Sequence, residues 1–352
     1  MQNQRRQLLK SVSAIGLSGL TASAIAQAFD FKPNQRYPDP SVLILDPSFG
    51  KYRIYSSTVE QVATGFRWAE GPAYFPGATA GALGHLLFSD IPNNRIMKFD
   101  EASGKTSVFR ANANYANGNT RDRQGRLITC EHSVTRRVTR TETNGKITVL
   151  ADSYQGKRLN APNDVVVKSD DTIWFTDPLF GINGEWEGAR AKPEQETTNV
   201  YRIDKNGELK AVITDILNPN GLAFSPDESV LYIVASRAKP HRQVWAYDVA
   251  ANGALSNQRV VIDAQGYGAL DGIAIDVDGN LWCGWGSDGS PAADAAALDG
   301  VRVFAPDGQA IGHIHLPERC ANVCFGGAKN NRLFMASSHS LYAIYTNTRG
   351  AV

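Results

Sequence analysis

The sequence predicts an all-β fold, a six-bladed β-propeller with four-stranded blades whose ring is closed by an N-terminal strand. Three observations carry that expectation. A unit of roughly fifty residues recurs six times, the size of a propeller blade. The same kind of polar residue opens each unit. Glycine (32) and proline (16) are frequent in a chain of 352 residues, as many short strands joined by tight turns require.

The six units open at Glu70, Asn117, Asn163, Asn220, Asp271 and Asn322, with separations of 47, 46, 57, 51 and 51 residues. Each begins with an acidic or amide residue, often followed by Gly. A short alternating strand, a polar turn and a second apolar strand come next. NDVVVKSDDTIWFTDP from Asn163 and DGIAIDVDGNLWCGW from Asp271 show the pattern. A third strand follows, as at residues 95–99 or 200–203, then a turn and a fourth, as at 146–150. A sandwich or a barrel does not call for six equivalent units with a polar residue at one fixed place. The last unit supplies three strands and ends at residues 340–345; residues 58–64 are expected to supply the fourth and leave no open edge. Residues 58–352 thus read as one propeller domain, and the Pro-containing segment 29–57 as an irregular N-terminal wrap. The polar insertion 183–198 is expected to be a surface loop beside the site.

Residues 1–28 read differently. Arg5-Arg6 precedes Leu8-Leu9-Lys10, a mildly apolar stretch follows, and Ala26-Gln27-Ala28 has the small residues of a cleavage site. The segment resembles a twin-arginine export signal, which implies the twin-arginine export machinery as a partner of the precursor and a bacterial periplasm as its destination. A net charge of +1 without a long basic run speaks against a nucleic-acid partner. No stretch of the mature chain is long and apolar enough for stable membrane insertion as a helix. The four cysteines, Cys130, Cys283, Cys320 and Cys324, lack metal-site spacing and are expected to be buried free thiols.

In a propeller the first strand of each blade lines the axis. The six opening residues therefore face the tunnel near one mouth. The second strand runs antiparallel, so its end returns to that mouth and brings His132, Asp177, Ser236, Trp285 and His339. A ring of carboxylate and amide oxygens suits a hard divalent cation, which takes six to eight oxygens in irregular geometry. Glu70 and Asp271 offer charge, and Asn163 and Asn220 neutral oxygens. One metal ion is expected, Ca²⁺ first, with Zn²⁺, Mg²⁺ and Mn²⁺ left open. Asn117, His132, Asp177, Trp285, Asn322 and His339 are the candidate substrate-binding residues. Ser103-Gly104-Lys105-Thr106 lacks the first glycine of a phosphate loop, and Asp276-Val277-Asp278-Gly279 lacks the later glutamate of a calcium loop; both read as turns. No GxSxG elbow is present.

Trp68-Ala69-Glu70-Gly71-Pro72, Ala161-Pro162-Asn163-Asp164-Val165, Pro219-Asn220-Gly221-Leu222 and Leu270-Asp271-Gly272-Ile273 resemble the gluconolactonase and senescence-marker-protein (regucalcin-like) family. The likeness runs from about residue 66 to 345. It implies a six-bladed propeller with one divalent metal on the axis, Glu70, Asn220 and Asp271 in the metal shell, and Asn163 at or next to the metal. It also implies hydrolysis of small lactones. The Arg-x-Asn-Asp-Gly motif of animal members is not matched around Asn163, so sugar recognition by a neighbouring arginine is not carried over. In that chemistry the metal would polarise the lactone carbonyl and Asp271 would activate water, with His132 or His339 as the alternative base. A phosphotriesterase-like hydrolase on the same site and a non-catalytic periplasmic binding propeller are the rival readings.

Overall fold

A computed structural model describes residues 31–351. Residues 33–352 form one compact unit, and the propeller lies within it. The export segment expected at residues 1–28 lies outside the described residues.

Six antiparallel sheets form the blades. Their inner strands are Ala69–Phe75, Ala116–Arg121, Val165–Val167, Pro219–Phe224, Gly268–Ile275 and Cys320–Gly326. Each inner strand packs against the next, and the last packs against the first, so the ring is closed. Blades 1 to 4 each run in sequence order from axis to rim. The N-terminal strand Glu60–Thr64 pairs with Ser340–Tyr345 and completes blade 6. Within the segment expected to be irregular, Val42–Ile44 forms a fifth strand on the rim of blade 5, paired with Ala310–His315. Two stretches of N-terminal chain are therefore stitched onto the last two blades.

Burial follows blade geometry. The second strand of each blade is covered on both faces by the neighbouring blades, so its middle is largely apolar, as in Leu86-Leu87-Phe88, Trp174-Phe175 and Leu333-Phe334-Met335. The outer strand Lys105–Ala111 faces water on most of its length. The core is accordingly a set of layers between blades, such as Phe66, Phe88, Phe334 and Leu341 between blades 6 and 1. All four cysteines are free thiols, three of them buried. No helix of the described residues is long and apolar enough to cross a membrane.

Candidate active site

Five of the six inner strands are bulged where the opening residues stand. The register shifts between Glu70 and Ala73, Ala116 and Asn119, Pro219 and Leu222, Leu270 and Ile273, and Cys320 and Asn322. A bulge re-aims a side chain out of the regular pleat, and here it does so at one level of the axis. The glycine that follows has a packing reason. A Cβ on Gly71 would fall on the carbonyl oxygen of Asn117, and one on Gly221 on that of Asp271. The residue-plus-glycine pairs are thus places where neighbouring inner strands nearly touch.

All six opening residues are buried, with exposures between 3 and 8%. Four are joined in one direction. Asn117 Nδ2 donates to Asn163 Oδ1 (2.7 Å), Asn163 Nδ2 to Asn220 Oδ1 (2.8 Å), and Asn220 Nδ2 to Asp271 Oδ1 (2.7 Å). Arg319 Nη2 donates to the other Asp271 oxygen at 3.0 Å. Across the ring, Glu70 Oε2 accepts from the Gly71 N–H (2.8 Å), and Asn322 Oδ1 from the Val323 N–H (2.8 Å). Asn119 supports the ring from behind, donating to the carbonyls of Gly71 and Asn117 and to Ser89 Oγ.

Packing carboxylates together in a buried ring raises their proton affinity. Burial lifts Glu70 well above the usual carboxylate range, and the charges of Asp271 and Asp164 lift it further. Burial also lifts Asp271; the Arg319 guanidinium opposes this, while the charge of Glu187 adds to it. Asp164 stands where four of the other units have glycine. Burial pushes its carboxyl up to about 7, against hydrogen bonds that include the Val165 N–H and Asn322. On its far side the ring gives onto an axial cavity of about 190 Å³, walled by Val167, Phe224, Ile275 and Phe325 among others.

The ends of the second strands do not converge as a set. His132 is fully buried, its Nδ1 3.0 Å from the Pro162 carbonyl, one residue from Asn163. Asp177 is buried too, but both its oxygens go to backbone: Oδ2 accepts from Asn160 N–H (2.8 Å) and Oδ1 from Ala161 N–H (2.7 Å). It braces the loop that carries Asn163 rather than facing the tunnel. Ser236 Oγ donates to the Asn218 carbonyl. Trp285 lies in the layer between blades 4 and 5 with the Arg302 guanidinium over its ring. His339 turns to solvent, its Nδ1 3.4 Å from Glu318. Neither Trp285 nor His339 is hydrogen-bonded to a ring residue. The turn after the second strand has a different length in each blade, so equivalent positions in the repeat end in different surroundings.

Three site residues escaped the sequence reading. Asp164 had a signal, because it replaces the repeat's glycine. Arg319 lies just before an inner strand and has no counterpart in the repeat. Glu187 belongs to the 183–198 insertion, which folds back so that Glu187 Oε2 lies 3.8 Å from His132 Nε2 and the Ala189 N–H donates to Ser133 Oγ.

Among the described residues no group of three or more His, Cys, Asp and Glu side chains forms a metal cluster. What the ring offers is an all-oxygen set, two buried carboxylates linked through amides. That donor chemistry fits a hard cation that accepts carbonyl oxygens and fits a thiolate- or imidazole-seeking ion poorly. The repulsion that lifts Glu70 is what such a cation would relieve.

Comparison with known proteins places the chain in context. Residues 68–339 match the family described as the SMP-30/gluconolactonase/LRE-like region. A gluconolactonase of Zymomonas mobilis is 30% identical over 98% of this chain and 98% of its own length. The solved structure of a gluconolactonase from Xanthomonas campestris superposes with a TM-score of 0.76 at 32% identity, covering 90% of this chain and 96% of that one. The structure of a calcium-binding regucalcin from Agrobacterium tumefaciens shares the fold, with a TM-score of 0.63 at 19% identity over 81% of this chain and 92% of that one.

Proposed function

The chain belongs to the SMP-30/gluconolactonase/LRE-like family, and on that premise we propose that it is a hydrolase that opens small lactone rings at the mouth of the tunnel with the help of one divalent cation, Ca²⁺ in the first place. The observation that carries this reading is the buried oxygen ring in which Asn163, Asn220 and Asp271 are already connected and Glu70 faces the same axis.

Glu70, Asn163, Asn220 and Asp271 would hold the cation. When bound, it supplies a Lewis acid that polarises the lactone carbonyl and stabilises the oxyanion. The chain's own groups do the rest. Asp271 accepts the proton of the attacking water. Each of its oxygens receives one hydrogen bond, and a carboxylate oxygen keeps a second lone pair. Asn220 and Arg319 fix the plane of that carboxylate. Asn117, Asn322 and His132 orient the substrate, and Asp177 holds the Asn160–Ala161 backbone so that Asn163 stays in place. The twin arginines at Arg5-Arg6 support export to the periplasm. Replacing both with Lys is expected to leave the precursor in the cytoplasm, and periplasmic appearance of that variant would remove the export reading.

The test is turnover of a lactone panel by the full chain with Ca²⁺, beside an organophosphate triester. Lactone opening that stops on chelation and returns with Ca²⁺ supports the proposal. Triester turnover without lactone turnover favours a phosphotriesterase. Tight ligand binding without turnover favours a binding propeller.

A further inference from the structure

Opening a lactone leaves an alkoxide on the former ring oxygen, and that oxygen needs a proton as the bond breaks. Asp271 takes a proton when water adds, and a base can hand such a proton on in the later step that breaks the bond. A separate group beside the departing oxygen gives it without that transfer across the site.

One buried group beside the ring has a nitrogen without a partner. His132 is fully buried, and its Nδ1 is 3.0 Å from the Pro162 carbonyl. A carbonyl only accepts, so Nδ1 carries a hydrogen and donates it there. In the neutral ring Nε2 is then the bare nitrogen. Nε2 is buried without a hydrogen-bond partner. A buried polar atom left unpaired in a folded protein asks for a function or a ligand. The carboxylate of Glu187 faces it at 3.8 Å, too far for a hydrogen bond. Glu187 is held there by its loop: the Ala189 N–H donates to Ser133 Oγ beside His132, and a Cβ on Gly188 would collide with Ser133. The Pro162 carbonyl that His132 engages is one residue from Asn163, so the pair stands beside the ring with one bare nitrogen facing one carboxylate.

We propose that His132 is the general acid of the reaction, giving its Nε2 proton to the departing ring oxygen, and that Glu187, brought by the 183–198 insertion, is the positioning residue that faces Nε2. The inference rests on the lactone-hydrolase reading. The steps balance. Water adds to the carbonyl carbon and gives one proton to Asp271. The tetrahedral oxyanion collapses, the bond from acyl carbon to ring oxygen breaks, and its electron pair goes to the ring oxygen. That oxygen takes the proton from His132 Nε2 and becomes the product hydroxyl. The proton on Asp271 passes to solvent, and solvent returns one to His132.

The test varies the leaving group. Glucono-δ-lactone and dihydrocoumarin are both six-membered lactones. The first expels an aliphatic alkoxide. The second expels a phenoxide, whose conjugate acid ionises at roughly pH 10, so it needs far less help from an acid. His132→Gln and Glu187→Gln are assayed on both, with melting curves recorded; Glu187 is half-exposed, so its variant is the one expected to fold without loss. For glucono-δ-lactone, kcat is expected to fall about a hundredfold in His132→Gln and about tenfold in Glu187→Gln, the scale of general-acid catalysis, with KM within about threefold. The fall on dihydrocoumarin is expected to be much smaller, so the ratio of the two lactones shifts. An equal fall on both, a change confined to KM, or no fall overturns the proposal. Wild-type protein that opens no lactone overturns the underlying reading, and this inference with it.

Discussion

The two arcs of the ring solve the same electrostatic problem differently. On one arc, Asn117, Asn163 and Asn220 pass their hydrogen bonds in a single direction to Asp271, and Arg319 closes the line with a full positive charge. On the other arc, Glu70 has the Gly71 N–H, with Asn322 beside it, and no cationic partner among the described residues. Charge on the first arc is compensated within the protein. Charge on the second is not, and burial together with the Asp271 and Asp164 charges lifts the Glu70 carboxyl well above its ordinary range. The difference divides the labour. Asp271 is oriented and ready to act on a proton, whereas Glu70 gains most from an incoming cation.

The largest expected effect falls on the chemistry of the first arc. Asp271→Asn keeps the shape and one oxygen but removes the charge and the proton acceptor. Turnover is expected to fall about a hundredfold or more, the scale of general-base loss, even when calorimetry shows the metal site filled. Near wild-type turnover at full occupancy would move the base elsewhere, with His132 left as the better-placed histidine.

Glu70→Gln is expected to act on affinity instead. Losing a partner outside the metal's direct ligands already weakens binding by about ten- to a hundredfold, so losing a charged ligand is expected to reach at least the upper end of that range. Turnover should recover when metal is raised. If the Glu70 and Asp271 variants lose affinity equally and turnover equally, the two arcs are equivalent and the division of labour fails.

Much of this was legible in the sequence, and what was not has physical reasons. The blades were readable because the second strand of each is buried on both faces and therefore apolar in every unit. The closing strand was readable because the sixth unit is one strand short, and 60–64 pairs as that deficit requires. The short strand at 42–44 was not readable, since half-exposed rim pairing leaves little hydrophobic signature. The six ring positions stood out as a repeat. Their wiring did not, because a hydrogen bond between residues in adjacent blades depends on how far the inner strands approach. Trp285 and Asp177 show the limit: they occupy corresponding repeat positions, yet one packs into an interblade layer and the other caps two backbone N–H groups.

Asp177 offers a way to loosen the first arc without touching its charges. Asp177→Asn leaves one acceptor oxygen for two N–H donors, so the loop before Asn163 loses a fixed point. Metal affinity is expected to fall about tenfold, the lower end of the range for supporting residues. A pH signature separates this from general damage. Burial pushes the Asp177 carboxyl up to about 7, opposed by the hydrogen bonds from Asn160 and Ala161 and by the Arg136 charge. The folded state therefore holds this proton more tightly than the unfolded chain, whose aspartate ionises at about 3.9. The stability it confers is fully present below about pH 4 and is lost as pH rises to about 7. The gap in melting temperature between wild type and Asp177→Asn should shrink across that window; a gap that is constant or widens would contradict the assignment.

The smallest effect is expected at Arg319, and it bears most directly on how the first arc is balanced. The guanidinium lies 3.0 Å from Asp271 and its side chain is 29% exposed, so solvent partly screens the charge it brings to the carboxylate. Two consequences pull in opposite directions. Arg319 holds the Asp271 carboxylate in plane, which favours productive geometry. It also places a positive charge beside a cation site and takes up a lone pair, which disfavours metal. Arg319→Gln keeps a donor for the carboxylate and removes the charge. Metal binding is therefore expected to tighten about twofold to fivefold while turnover at saturating metal changes little. Arg319→Ala removes both and should lose turnover as well, because Asp271 is then fixed on the Asn220 side alone. Calorimetric titration of the two variants reads the difference. If Arg319→Gln binds metal more weakly than wild type, the guanidinium is supporting the cation site rather than competing with it, and the compensation of the first arc must come from the amide chain.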